Sequence, residues 1–247
     1  MRADFDLQFL QFCNNEDLRM LCDILMYDEK GKIRLNENIS GSDNYLACYP
    51  DKMQSMWKDI AGELRCYGGN SLLNHFRGGN GPSYENIVSD VCKRMHVNGI
   101  TSNDTVEEME QKLLIHVTRK VIGELDESQA CAIMDECGIR NYEYSKAGLL
   151  AALIALQVVN RKVFIIVIDT VMRFISRILI GRGIMYVGMG IFSRGISVLF
   201  GPIGWILVGG WTVWDILGPA YRVTIPAVIQ VAYMRVKYKA MLNSNRM

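Results

Sequence analysis

The chain has 247 residues, half of them hydrophobic, and a formal net charge of +1, enough to bury a sizeable core and too neutral for bulk attraction to nucleic acid. The balance conceals a division: residues 147–247 hold two acids, Asp169 and Asp215, against eleven Lys and Arg, whereas the first 146 residues hold 24 acids and 16 bases. A basic, apolar half joined to an acidic half directs the former toward a membrane rather than a nucleic acid.

Helical periodicity runs through the acidic half. Helices are predicted at about 4–13 and 15–27. In 50–67, Pro50 suits a first turn, and Met53, Trp57, Ile60, Ala61 and Leu64 share a face. Ser83 is an N-cap for 83–96, which turns Tyr84, Ile87, Val88, Val91, Cys92 and Met95 inward. The same pattern recurs over 104–125, and a helix over 127–137 starts at Asp126 and stops at Gly138. No hairpin or βαβ rhythm interrupts it, so the half reads as all-α. Its seven cysteines are odd in number and form no CxxC, the usage of a reducing compartment. The opening MRADFDLQFL has no apolar h-region, so no signal peptide is expected, and the expected location is the cytoplasm or the cytoplasmic face of the inner membrane.

After the joint at 141–146 the composition changes. AGLLAALIALQVV is followed by NRK and VFIIVIDTVMRFISRILI, where Lys162, Asp169, Arg173 and Arg177 recur at spacings of 7, 4 and 4. Lys162, Arg173 and Arg177 thus form a cationic stripe on an apolar helix, which suits an interfacial helix, a polar seam in a bundle, or an unusually apolar surface helix. From Gly181 the chain reads GRGIMYV, GMGIFSR, GISVLFG. Small residues recur at Gly181, Gly188 and Gly195, and at Gly183, Gly190 and Ser197. Such a stripe admits close helix approach in lipid, whereas in water each helical glycine costs up to about 1 kcal/mol against alanine.

Gly201, Pro202 and Gly204 then mark a turn. The twenty residues between Arg194 and Asp215 carry no charge. Two arms of roughly 15–18 residues would each be about 23–27 Å long, slightly short of a bilayer core. The reading is a helical hairpin that dips into or crosses a bilayer, with Trp205, Trp211 and Trp214 partly at the interface; a buried hairpin in a soluble bundle is the alternative. In the last helix Pro226 suits the first turn, and Arg235, Lys237 and Lys239 with Tyr233 and Tyr238 suit an anionic leaflet or a solvated helix end.

Catalytic signatures are missing: there is no Gly-x-Ser-x-Gly, His-Glu-x-x-His or kinase set. Cys92 and His96 have half of a metal-ligand spacing without a second pair, so no metal or cofactor is expected. Arg77 with Gly78, Gly79 and Gly81, just before the helix from Ser83, forms a candidate anion site, although glycine caps around a short helix at 70–77 explain the residues as well.

WKDIAGELRCYGGNS at 57–71, FRGGNGPSYENIVSDVC at 76–92 and GPAYRVTIPAVIQVAY at 218–233 resemble the bacterial YaaW-like family, and LCDILMYDEKGKIRL at 21–35 resembles its short N-terminal module. The resemblance implies an uncharacterised family whose middle region is grouped with ubiquinol–cytochrome c chaperone domains. It brings no catalytic residues to place on this chain.

The expectation is an all-α protein: a short N-terminal helical module at 1–45, an acidic, chaperone-like helical domain at 46–146, and a basic, glycine-rich helical hairpin module at 147–247. The expected role is non-enzymatic. The protein would dock on or enter the cytoplasmic membrane as a pore-former or scaffold, with anionic lipid as partner and self-association through the glycine stripe. The alternative is a soluble chaperone-like module for a membrane-protein client.

Overall fold

The structure, a computed structural model, describes residues 4–28, 32–35, 37–68, 81–179 and 221–244. Their regular structure is helical apart from one antiparallel bridge between Tyr27 and Ile33. The all-α reading therefore stands, while the glycine-rich hairpin lies outside the described residues. No helix among the described residues is long and apolar enough to cross a membrane.

The chain divides into two compact units. In the first, a 3-10 helix (Phe5–Phe12) leads into α1 (Asn15–Met26), α2 (Asp43–Cys48), a short 3-10 helix (Met53–Met56), α3 (Trp57–Tyr67) and α4 (Tyr84–Arg94). The unit also takes the start of α5 (Val106–Glu124), as far as Leu113, and the last helix, which is α9 (Tyr221–Ser244). This last helix is its centre. Residues 223–235 are buried without interruption, because VTIPAVIQVAYM presents an almost wholly apolar side chain in every direction. It packs on α1, α3, α4 and the first 3-10 helix. Each fully buried Val or Ile on it contributes about 1.5–3 kcal/mol, and Gln230, one of its buried polar residues along with Thr224 and Arg235, donates to the Asp17 carbonyl at 3.4 Å.

Two local expectations are corrected here. Helix formation after Pro50 starts at Met53, not at Pro50, since the Asn15 side chain straddles the intervening loop. It donates to the Pro50 carbonyl at 2.8 Å and accepts from the Met53 amide at 2.7 Å. Pro226 lies inside α9, not in its first turn. The helix begins at Tyr221, whose hydroxyl donates to Asp90 on α4 at 2.7 Å and whose ring faces Arg94 at 4.7 Å.

The second unit runs from Leu114 through α6 (Glu127–Glu136), α7 (Lys146–Val159) and α8 (Arg161–Leu179) as far as Ile178. Its helix ends follow local rules. Asp126 and Gln129 form a reciprocal capping box on α6, and Gly138 ends that helix at a φ of 66°, where a side chain would be strained. Ser145 caps α7 by accepting from Gly148 at 3.0 Å. Gly148 cannot be larger, since a Cβ there would stand 1.9 Å from the Glu143 carbonyl oxygen. Packing of α7 on α6 encloses Ala130, Met134, Leu149, Ala152 and Leu153 among the buried side chains.

Candidate functional site

The densest polar construction among the described residues is a buried seam in the first unit. It gathers α3, the residues before α4, α5 and α9, and so joins the sequence blocks at 57–71 and 76–92 to the last helix, just beyond the block at 218–233. Arg235 of α9 reaches Glu110 of α5 through Nε at 2.5 Å and Nη2 at 3.3 Å. Its Nη2 also donates to the Asp6 carbonyl at 2.6 Å, and the guanidinium lies 4.1 Å from the Phe9 ring centroid. The Tyr84 hydroxyl donates to Glu110 Oε1 at 2.8 Å, the same oxygen that Nη2 reaches. Burial raises the Glu110 carboxyl, while Arg235 and Tyr84 oppose that shift. Burial likewise acts to lower the Arg235 guanidinium, but Glu110 overcomes it and holds the group charged.

At the amino end of α4 the anion is one of the protein's own. Asp4 accepts from the Tyr84 amide at 2.8 Å and lies 3.7 Å from Arg65 of α3, a carboxylate where the helix exposes free amides. Arg65 also donates to the carbonyls of Pro82 at 2.9 Å and Gly81 at 3.0 Å. This pulls the strand before α4 so close to α3 that a Cβ on Gly81 would stand 1.9 Å from the Arg65 carbonyl oxygen. Gly81→Ala is accordingly expected to lower stability by about 1–3 kcal/mol. Thermal unfolding checks this, and an unchanged midpoint contradicts the close approach. Gly81 is the one described member of the candidate anion site; Arg77, Gly78 and Gly79 lie outside the described residues.

The remaining sequence candidates divide in the same way. Gly181, Gly183, Gly188, Gly190, Gly195, Ser197, Gly201, Pro202, Gly204, Trp205, Trp211 and Trp214 all lie outside the described residues. Of the cationic stripe, Lys162 is exposed near the start of α8 and Asp169 is half-buried, while the side chains of Arg173 and Arg177 fall outside the description. Cys92 and His96 do not converge: Cys92 is buried, with its thiol toward the Met109 carbonyl at 3.8 Å, and His96 is exposed. All seven cysteines are free thiols, and burial pushes Cys13 and Cys92 up to about 12.

The three cations of α9, read as suited to an anionic leaflet or a solvated helix end, each find a carboxylate in the first unit. Arg235 is buried on Glu110, Lys237 pairs with Asp17 at 2.7 Å and Lys239 pairs with Glu107. They tie the last helix to carboxylates of its own unit. One sequence signal pointed to the pair at 110 and 235. Glu110 interrupts the apolar stripe Val106, Leu113, Val117, and Arg235 ends the buried, largely apolar run of α9. A lone acid and a lone base on two buried faces complement one another.

Over residues 1–35 the chain matches a family described as Domain of unknown function (DUF3944). A UPF0174 protein of Helicobacter pylori (strain J99) is 34% identical over 237 residues, spanning 96% of this chain and 92% of its own length. The UPF0174 protein YaaW of Escherichia coli (strain K12) is 34% identical, with 94% of each chain covered. A UPF0174 protein of Helicobacter pylori (strain 26695) is 29% identical over 211 residues. No solved structure matches the chain.

Proposed function

The chain belongs to the UPF0174 family of bacterial proteins, and from that premise we propose that it acts without catalysis at the cytoplasmic membrane, docking on or inserting into the bilayer through its glycine-rich segment. The observation that carries this reading is the uncharged stretch between Arg194 and Asp215, preceded by small residues at heptad spacing. Such a segment is stable where lipid or close helix packing replaces water. The described fold fits this role because the segment lies between α8 and α9, and α9 returns into the core of the first unit. A folded unit then anchors the apolar segment in the chain, whether the protein works as a pore-former or as a scaffold.

Vesicle flotation tests the proposal. The purified protein is expected to float with liposomes, and more strongly when anionic lipid is present; its absence from the floated fraction at every pH defeats the reading. Release of a trapped dye separates a pore-former from a scaffold. Flotation without release, together with capture of an apolar helical peptide in solution, favours the chaperone-like module that the middle-region resemblance implies.

A further inference from the structure

We propose that the corner between α7 and α8 is a second docking surface for anionic lipid, distinct from the glycine-rich segment; the inference rests on the membrane reading and adds to it a contact made by described residues of the second unit. On its buried side α7 places Gly148, Leu149, Ala152, Leu153 and Leu156. The opposite face carries Ala147, Leu150, Ala151, Ile154 and Ala155, with Ala147, Ala151 and Ile154 exposed. A helix facing water ordinarily places charged and polar residues there. This one presents none on that face over more than two turns.

Further exposed aliphatics flank the corner. Val159 at the end of α7 is 78% exposed, Ile154 50% and Ile166 43%. Asn160 breaks the helix with φ −146° and ψ 83°, and its side chain restarts it by accepting from the Val163 amide at 3.2 Å. Lys162 then stands exposed within one turn of the break. No Asp or Glu occurs between Glu143 and Asp169, whereas Lys146, Arg161 and Lys162 do. Lys146 is engaged by the carbonyls of Gly123 and Leu125, so the described base at the corner itself is Lys162.

Exposed aliphatics beside a lysine, in a run of sequence without a carboxylate, match the boundary between acyl chains and anionic headgroups. The aliphatics enter below the phosphates, and the lysine stem reaches back to them. Charge selects lipid over a second copy of the chain. A two-fold contact through this corner would bring Lys162 of each copy toward the same base of the other.

The test compares the full chain with Val159→Glu and Lys162→Glu on phosphatidylcholine vesicles with and without phosphatidylglycerol. Both positions are exposed, so far-UV circular dichroism and thermal unfolding should match the parent protein and certify the fold of each variant. Each substitution is expected to weaken binding to phosphatidylglycerol-containing vesicles by about tenfold, and Lys162→Glu should abolish most of the preference for anionic lipid. Equal binding by the parent and both variants overturns the corner and leaves the glycine-segment reading standing. No binding by the parent to either vesicle overturns both. A parent dimer that Val159→Glu dissociates without lipid assigns the surface to a second copy and also overturns the inference.

Discussion

Arg235→Met is expected to destabilise the protein by about 3–5 kcal/mol, the cost of leaving one partner of a buried ion pair alone. Methionine keeps most of the apolar stem but removes both bonds to Glu110, the bond to the Asp6 carbonyl and the cation over Phe9. Glu110 would retain the Tyr84 hydroxyl, which cannot neutralise a carboxylate away from water. The variant should also acquire a pH dependence. Without Arg235 the Glu110 carboxyl rises further, so its folded form prefers to be protonated and stability falls as pH increases. Adding Glu110→Gln should recover much of the loss, since the second charge is then removed as well. Urea unfolding of both single variants and the double variant measures the coupling; strictly additive effects would mean that the seam is not a unit.

The second large effect concerns Asp23 on α1. It is only 3% exposed, and its carboxylate accepts from the Tyr49 hydroxyl at 3.2 Å. Burial raises it to about 6 from an ordinary 3.8, with Tyr49 and Arg19 opposing the shift. The folded state thus holds this proton more tightly than the unfolded chain does. The associated stabilisation is complete below the unfolded value and is lost as pH rises through about 6, a change of about 3 kcal/mol. Asp23→Asn keeps an acceptor for Tyr49 without a charge. It should therefore be more stable than the parent by about 2–3 kcal/mol at neutral pH and converge on it near pH 4. The difference in unfolding free energy across this window measures the burial cost, and a flat difference contradicts it.

What was legible in the sequence was local. Ser83, Asp126 and Gly138 each act within a few residues, and their helix ends lie where the caps predict. The start after Pro50 was not legible, because it depends on Asn15, which is 35 residues away. The last helix raised a deeper ambiguity. A segment apolar on all sides serves equally in a bilayer or in a protein core, and residues 223–235 occupy a core. Its cations resembled a leaflet-facing end because their carboxylate partners, Asp17, Glu107 and Glu110, lie more than a hundred residues earlier. Gly81, read as part of an anion loop or a glycine cap, permits a backbone approach that only the folded chain reveals. The distinction between core and membrane rests on where the partners are, which spacing alone does not encode.

The same distinction now turns on the stretch between α8 and α9. The most direct test expresses the chain without a tag in a bacterium, isolates the membranes and washes them with alkaline carbonate, which strips peripheral proteins and leaves integral ones. The account predicts that the protein stays in the washed membrane. Recovery of the whole population in the soluble fraction before the wash would contradict it and place the glycine-rich segment in a protein core, as α9 already is.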